Sequence, residues 1–466
     1  MIMQCSKTRK ISPRARRIGL FVAMALNTAN SALAQESSRL DEYVAEGLRH
    51  NLGLKQERLN VQTAEAATRE ALGTMLPSIS ADTRYSNLSG NVQDFGKLIN
   101  PAYATLNQLT GQNNFPTDLK LTLPAKQQSG IRLTQPLFAP QAYYGYRIRR
   151  DLESVERARL VMEARDLVAG IKTAYLNYAK AVRVVEIYEQ TLALLDENLR
   201  VTQKLADNQQ ATLDVVYRAK AERSDVEQKR AEAARQRDDA ARYFNLLLDR
   251  PLDTPVALDP DSVIAAVTLP SADSALRSGM MHRDELAAAG NGIRAAANTV
   301  DLHESAYMPT VGFAVDYGVQ GDNYRFNRHD ATTMVSLVAQ WSIFNGGQDN
   351  ARRQQATLAT KRLKLQKNQL EKQINLQIRQ AYDAAIVARQ AQATAQDRLS
   401  SAKRSFDLVS RRFAEGMATQ LEYLDARTSY TSSSLNQIIT TYDFVQKYVE
   451  LERAAALISE NVAREL

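Results

Sequence analysis

Apolar residues between positions 395 and 449 recur at spacings that alternate between four and three, the pattern of a helix with one apolar stripe. The stripe runs to Phe413 and resumes at Leu421, and a similar run covers residues 178–202. Two such helices joined by a few residues form an antiparallel, left-handed coiled-coil hairpin. We therefore predict long helices at 140–207 and 347–415, and medium ones at 39–76, 212–247, 274–308 and 417–457. The long helices would each extend over ~100 Å, too far for a globular core.

Other segments alternate between apolar and polar residues with the period of two that is typical of a half-buried strand. Thr310–Val319 shows the pattern most clearly, with Val311, Phe313 and Val315 on one face. The predicted strands cover residues 78–90, 125–138, 310–320 and 332–344, and the polar residues 86–124 are expected to form a long exposed loop. Strands of about ten residues with one apolar face suit an outer-membrane barrel, and a soluble sheet of two hairpins is the alternative.

Four strands cannot close a membrane barrel, because the smallest known examples have about eight. An open strand edge in lipid is also excluded, so several copies of the chain would have to share one barrel. The predicted fold class is mixed α and β. Duplicated coiled-coil hairpins of long helices would form an α-helical barrel, and each protomer would contribute four strands to an oligomeric transmembrane β-barrel.

The order of elements occurs twice along the chain. Met75–Tyr85 aligns with Tyr307–Tyr317 at an offset of 232, and Thr212–Val216 aligns with Gln420–Leu424 at an offset of 208. Each copy reads as a medium helix, two strands, a long helix, a turn and a medium helix. We predict a first repeat at 35–248, an equatorial connector at 249–273 and a second repeat at 274–466.

The net charge of +7 does not indicate a nucleic-acid partner, because residues 1–34 contribute six of the positive charges and contain no acidic residue. These residues have a basic start, the apolar run IGLFVAMAL and the small-residue pattern ALA, so they are predicted to be a secretory signal peptide. The single cysteine, Cys5, lies inside this segment. The mature chain is expected to be exported and to use neither disulfides nor thiol chemistry.

No residue pattern favours an enzyme, a cofactor or a metal site. Two of the four histidines, His50 and His282, are equivalent in the two repeats, which favours a structural role. The turn Asn345–Gln348 lacks the lysine of a phosphate-binding loop. A membrane hydrolase that uses a serine with His303 or His329 is the enzymatic alternative.

Over residues 38–457, the chain resembles the TolC family of outer-membrane efflux and secretion channels. The resemblance depends on the doubled helix–proline–strand order, on the junctions PLFAPQ (Pro136–Gln141) and SIFNGGQ (Ser342–Gln348), and on FAEGMATQLEYLDA from Phe413. It implies a homotrimer with a 12-stranded barrel on a long periplasmic tunnel in the outer membrane. A periplasmic adaptor would dock at the hairpin tips and connect the channel to an inner-membrane pump, for efflux or type I secretion. A non-conducting exported coiled-coil scaffold or surface stalk is the alternative.

The resemblance also implies roles for residues at the two hairpin tips. Gly416 matches the family's tip glycine, and Asn208 takes the corresponding place in the first tip, where asparagine tolerates the left-handed conformation. Met417 and Ala418 complete the expected docking surface. Ala418 occupies a position that is often basic in the family, so an ion-pair gate is not expected there.

Three acidic residues, Asp214, Glu422 and Asp425, match acidic positions near the family's periplasmic entrance. Around a symmetry axis, Glu422 and Asp425 would form acidic rings that attract cations and resist closure by like-charge repulsion. The alternative is a pair of solvated carboxylates on a helix surface.

Overall fold

The protein is described by a computed structural model that covers residues 39–87, 94–119, 126–265, 267–321 and 331–458. The predicted signal peptide with Cys5, and also His329, lie outside these residues. The helices are α1 Arg39–His50, α2 Leu52–Gly73, α3 Gly96–Thr110, α4 Pro140–Asp207, α5 Leu213–Leu247, α6 Pro260–Ala265, α7 Ala272–His282, α8 Asp284–Glu304, α9 Gln348–Ala414 and α10 Gln420–Ala454. The strands are β1 Ser78–Tyr85, β2 Gln127–Phe138, β3 Thr310–Gly321 and β4 Ala331–Gln340.

Two of the predicted medium helices are each divided in the structure. Asn51 separates α1 from α2, and its side chain accepts a hydrogen bond from the Leu54 N–H at 3.1 Å and donates to the Leu247 carbonyl at 3.0 Å. Arg283, in an extended conformation, separates α7 from α8 and donates to the Ala454 carbonyl at 2.9 Å. At each break, a side chain thus donates a hydrogen bond to the backbone of a helix that is distant in sequence, and this bond holds the break in place.

Two predicted strands extend too far, since β1 ends at Tyr85 rather than at residue 90 and β4 ends at Gln340 rather than at 344. Residues 88–90 of the first prediction lie outside the described residues. Trp341, just past β4, donates its indole N–H to the Tyr307 carbonyl at 3.0 Å instead of continuing the strand.

The segment predicted as a loop at 86–124 contains helix α3. Asn100 pairs with both backbone groups of Leu119, at 2.9 and 3.0 Å, and Asn107 pairs in the same way with Phe115, at 2.6 and 2.9 Å. The Tyr103 and Phe115 rings pack with their centroids 5.4 Å apart. Two asparagine side chains therefore hold the returning chain against the helix.

The chain forms two compact units, and each unit draws on both predicted repeats. The helical unit consists of the described residues within 1–56, 160–283 and 371–466, and the strand unit consists of those within 57–159 and 284–370. Among the described helices, none combines the length and the hydropathy that a membrane-spanning helix requires.

In the strand unit, the four strands form one antiparallel sheet in the order β1-β2-β3-β4. The register places Ile131 opposite Ala81 on one side and Tyr317 on the other, so apolar residues share one face. On the other face, Arg132 and Asp316 form an ion pair at 2.5 Å. The predicted fold class of long helices with four two-faced strands is confirmed.

The helices of the strand unit follow the order of the strands to which they connect. Polar contacts join α2 to α4, α4 to α8, and α8 to α9. These contacts are Arg157–Glu65 at 2.5 Å, Asn298–Asp151 at 2.5 Å and Arg353–Glu304 at 3.5 Å. Helices α4 and α8 are therefore the inner pair of a row of four.

In the helical unit, α4 and α5 form an antiparallel pair. Arg223 on α5 contacts Asp196 on α4 at 2.5 Å, and Arg230 on α5 contacts Glu189 on α4 at 2.7 Å. A step of seven residues forward along α5 is thus matched by seven residues backward along α4. This arrangement is the hairpin that the apolar spacing predicts.

An aromatic cluster of Tyr43, Tyr175 and Phe244 lies in the core of the helical unit, with the Tyr43 and Phe244 centroids 5.1 Å apart. The two tyrosine hydroxyls accept hydrogen bonds from the Ala257 N–H at 3.0 Å and the Asp259 N–H at 2.6 Å. Hydrogen bonds at the edge of an apolar core therefore hold the segment 249–273 against α1, α4 and α5.

Replacement of Phe244 by alanine should destabilise the protein by about 3–5 kcal/mol, because Phe244 is fully buried and its removal leaves a cavity. The neighbouring Tyr243 is 56% exposed, and its replacement by alanine should change stability by less than about 0.5 kcal/mol. The midpoints of urea unfolding of the two variants measure the difference. Equal midpoints would contradict the assignment of Phe244 to the core.

Candidate functional site: the helical hairpin tips

The second tip is a left-handed turn that ends α9. Gly416 has φ of +75°, its N–H donates to the Phe413 carbonyl at 3.0 Å, and the Met417 N–H donates to the Arg412 carbonyl at 2.7 Å. These bonds satisfy carbonyls that the last helical turn leaves unpaired. A Cβ atom at Gly416 would meet nothing within 4 Å, so the backbone conformation, not crowding, favours glycine.

Helix α10 begins at the second tip with a capping box. The Thr419 hydroxyl accepts from the Glu422 N–H at 3.2 Å, and the Glu422 carboxylate accepts from the Thr419 N–H at 2.6 Å. The hydrogen bond from the Thr419 backbone is the main cause that lowers the pKa of Glu422, and the Arg412 charge adds to it. Glu422 therefore has a structural role that the sequence interpretation did not assign.

The first tip has the same turn, but the left-handed residue is Gln209, with φ of +59°, and not Asn208 as predicted. The Gln209 N–H donates to the Ala206 carbonyl at 2.9 Å, and the Gln210 N–H donates to the Leu205 carbonyl at 2.8 Å. Helix α4 continues through Asp207, one residue further than the asparagine assignment requires. A glutamine in this conformation costs ~1–2 kcal/mol that a glycine would avoid.

The two tips correspond at an offset of 207, not at the predicted offset of 208. Gln209 matches Gly416 as the left-handed residue, and Thr212 matches Thr419 as the residue that precedes the next helix. Thr212 makes no side-chain capping bond, whereas Thr419 does. Of the two tips, only the second has both a glycine turn and a closed capping box.

The predicted acidic residues differ in their surroundings. Asp214 and Asp425 are exposed, and neither forms an ion pair with any residue that the structure describes. Glu422 is also exposed but is held by the cap. Met417 is exposed and Ala418 is half-buried, so of these two only Met417 offers a large apolar side chain to solvent.

An aromatic cluster packs next to the second tip. The Phe413 and Tyr423 rings lie 4.9 Å apart, and Phe406 stacks on Tyr430 at 5.4 Å. Burial raises the pKa of the Tyr423 hydroxyl. Phe413 is therefore part of the packing between α9 and α10.

Arg427 is a buried cation that the sequence interpretation missed. It is 2% exposed, pairs with Glu222 and donates to the Thr428 hydroxyl at 3.0 Å. The contact with Glu222 joins α10 to α5. The only signal in the sequence is that a charged residue lies directly beside Thr428, a position of the heptad stripe. That signal alone does not distinguish a buried ion pair from a solvated one.

A reciprocal amide pair joins α4 to α10 near the same tips. Gln420 donates to the Asn198 side chain at 2.8 Å, and Asn198 donates back at 3.4 Å. Asn198 is buried and Gln420 directly follows the capping residue of α10. Polar pairs thus fix the register of the hairpins where the apolar stripes end.

The described residues contain no cluster of three histidine, cysteine or acidic side chains that could hold a metal ion. Exposed carboxylates, an exposed methionine and two hydrogen-bonded turns make the tips a surface suited to cations or to another protein.

Comparison with known proteins identifies relatives of this chain. Residues 280–457 match the family described as outer membrane efflux protein. Outer membrane efflux protein BepC of Brucella suis is 23% identical over 404 residues, which cover 83% of this chain and 85% of BepC.

Solved channels share the fold at low sequence identity. The CmeC outer membrane channel of Campylobacter jejuni has a TM-score of 0.74 at 14% identity, and the alignment covers 92% of this chain and 89% of CmeC. The open-state MtrE outer membrane channel of Neisseria gonorrhoeae has a TM-score of 0.72 at 17% identity, with 90% and 88% covered. These matches confirm the predicted resemblance, and the family and relatives that they identify are outer-membrane proteins, in agreement with the predicted location.

Replacement of Thr419 by alanine should change how the second tip responds to acid. Because the pKa of Glu422 in the folded protein lies below its ordinary value of about 4.5, its stabilising effect is present above that value and is lost as the pH falls through the folded pKa. The variant lacks the hydroxyl contacts, so its first turn of α10 should open at a higher pH than in the wild type.

Hydrogen exchange in the first turn of α10, corrected for the intrinsic effect of pH, measures this change. Thr212→Ala at the first tip is the matched control, because Thr212 makes no capping bond. An identical acid response in wild type and Thr419→Ala would show that the capping box does not hold Glu422.

Proposed function

We propose that the chain is one protomer of a homotrimeric outer-membrane channel with a long periplasmic tunnel. The trimer serves as the exit duct of a tripartite efflux or type I secretion system, and a periplasmic adaptor docks at the hairpin tips. The observation that carries this proposal is the four-stranded sheet, which has one apolar face and two unpaired edges.

The sheet supports a shared barrel because it is too small to close alone. Its outer strands, β1 and β4, each pair with only one other strand among the described residues. Unpaired backbone groups at a sheet edge are not tolerated in lipid. Three copies of a four-stranded sheet supply twelve strands, which is enough for closure.

The surface of α9 supports association with further copies of the chain. Leu376 and Val387 lie three helical turns apart, close to one side of α9, and are 56% and 66% exposed. Large apolar side chains aligned on a helix of an exported protein are typical of an interface. A neighbouring protomer in a ring of helices would cover them.

The named relatives support an efflux role over a structural one. BepC is called an outer membrane efflux protein, and CmeC and MtrE are called outer membrane channels. An exported scaffold would need neither a two-faced sheet nor the same left-handed turn at both tips. The adaptor is proposed at the tips because Met417 is exposed there beside a turn that the capping box holds in place.

The acidic residues at the tips are proposed to line the periplasmic entrance of the channel. Asp214 and Asp425 carry this role, because both are exposed and have no ion-pair partner among the described residues. Glu422 contributes its charge but is held in the cap. Repeated around a threefold axis, these carboxylates would concentrate cations at the entrance.

The purified wild-type protein should run as a heat-resistant trimer and give single-channel currents in planar bilayers. Leu376→Glu combined with Val387→Glu should abolish the trimer, because charged side chains would be buried at the proposed interface. Leu376→Met combined with Val387→Leu, which keeps the surface apolar, is the control. A soluble wild-type protein without conductance would favour the scaffold alternative.

Asp425→Asn combined with Asp214→Asn should reduce cation selectivity, so that the reversal potential in a potassium chloride gradient moves toward zero. Asp407→Asn is the control, because Asp407 is an exposed acidic residue two turns away from the second tip. Unchanged selectivity in the double variant would show that these carboxylates are ordinary solvated surface groups.

A further inference from the structure

A groove in the strand unit, between α4 and α8, carries two arginine side chains that form no ion pair with any residue the structure describes. The groove has a volume of about 470 Å³. Its charged and amide residues are Arg147, Arg150 and Asp151 on α4, and Arg294, Asn298 and Asp301 on α8.

The charges in the groove are only partly balanced. Asp151 accepts from Asn298 at 2.5 Å and lies 3.5 Å from the Nε atom of Arg294, so it balances the Arg294 charge. Arg147 and Arg150 are exposed, and no carboxylate of the described residues lies within ion-pair distance of either. The groove as a whole has three arginines and two aspartates, and its α4 side presents two guanidinium groups that no carboxylate pairs. Guanidinium groups are the fork-shaped donors that match phosphate oxygens.

The Arg147 guanidinium lies close to the junction between strand and helix, and Arg150 follows about one helical turn further along α4. Helix α4 begins at Pro140, directly after β2 ends at Phe138. Long side chains on a helix point toward its N-terminus, and the Arg147 guanidinium carbon lies 5.9 Å from the Tyr143 ring centroid, one turn closer to the strand. At 1.5 Å per residue, that charge is only ~5 Å along the helix from its start.

Aromatic residues mark the same level of the strand unit. Tyr143 follows β2, Tyr307 precedes β3 and Trp341 follows β4, and all three are exposed. Tyrosine and tryptophan are enriched where a membrane protein meets the headgroup layer. If the strands cross the hydrocarbon core, the headgroup layer of ~5–8 Å begins at this junction.

The groove is not at the edge of the strand unit. Contacts place the helices in the order α2, α4, α8, α9, so a second protomer would approach α2 or α9. The matching junction before α9 differs in charge, since Arg352 lies 3.9 Å from Asp349 and Arg353 lies 3.5 Å from Glu304. The arginines at the start of α9 are thus paired, whereas Arg147 and Arg150 near the start of α4 form no ion pair with any described residue.

We propose that this groove binds the phosphate group of an anionic phospholipid headgroup in the leaflet next to the strand–helix junction, through Arg147 and Arg150. The inference rests on the proposed insertion of the sheet in a bilayer. Phosphatidylglycerol would fill the groove in each protomer and fix the depth of the sheet in the membrane.

Native mass spectrometry of the detergent-purified trimer, titrated with phosphatidylglycerol or phosphatidylcholine, tests the proposal. The wild type should bind phosphatidylglycerol preferentially. Arg147→Gln combined with Arg150→Gln should weaken that binding roughly 25-fold, because the loss of each basic side chain weakens it about fivefold. Arg353→Gln is the matched control, since Arg353 is paired with Glu304, and it should bind like the wild type.

Each further outcome decides a separate point. A wild-type trimer without preference for phosphatidylglycerol overturns the inference and leaves the channel function standing. Competition by millimolar inorganic phosphate would show a free-anion site and also overturn it. Absence of any wild-type trimer would overturn the proposed function, and the lipid site with it.

If the glutamine variant does not assemble, Arg147→Lys combined with Arg150→Lys provides a second test. This variant should assemble and retain most of the preference for phosphatidylglycerol, and loss of the preference would contradict a charge-based site.

Discussion

The unpaired edges of the four-stranded sheet are the constraint on which the rest of the molecule depends. Among the described residues, β1 and β4 each pair with one strand only, and in lipid the backbone groups of their outer edges would need partners from another chain. The register that gathers apolar residues on one face makes the sheet suitable for lipid, and the same sheet leaves those edges open. The proposed trimer would supply the missing strands, and the exposed apolar residues on α9 are consistent with such an association.

The long helices solve a different problem, which is how to keep register without disulfides or a globular core. Apolar stripes bring helices together but permit sliding, because neighbouring turns of a stripe are similar. Polar pairs remove that freedom. The Asn198–Gln420 amide pair and the buried Arg427–Glu222 ion pair each fit only one alignment of α4, α5 and α10. Both occur close to the tips, where an error in alignment would displace the turns.

Periodicity allowed the sequence to predict most of the fold. The alternation at Val311, Phe313 and Val315 identified strands, and the heptad spacing identified the hairpins, because both patterns report directly on which side of an element is covered. The breaks at Asn51 and Arg283 were missed, since each depends on a hydrogen bond to a residue more than 150 positions away. Helix α3 was missed because Pro101 within it and the asparagine and glycine residues around it favour a loop, and because its stability comes from contacts with the returning chain.

The tips were located from the sequence, but their chemistry was predicted only in part. Gly416 was identified because glycine is favoured in a left-handed turn, whereas Gln209 carries no such signal and the neighbouring asparagine was the more natural choice. Glu422 was interpreted as an entrance charge, although its spacing of three from Thr419 also fits a capping box. Which role a carboxylate takes depends on the backbone around it, which composition does not reveal.

The paired asparagines of α3 have a consequence for how this part of the chain can evolve. Asn100 and Asn107 are seven residues apart, and their partners Leu119 and Phe115 are four residues apart in the opposite direction. Seven helical residues, which rise by ~10.5 Å, therefore lie opposite a stretch of four residues in the returning chain. Surface loops usually accept insertions and deletions freely. Here a residue inserted between Asn100 and Asn107, or between Phe115 and Leu119, would break one of the two pairs. These two stretches should therefore diverge by substitution while their lengths stay fixed.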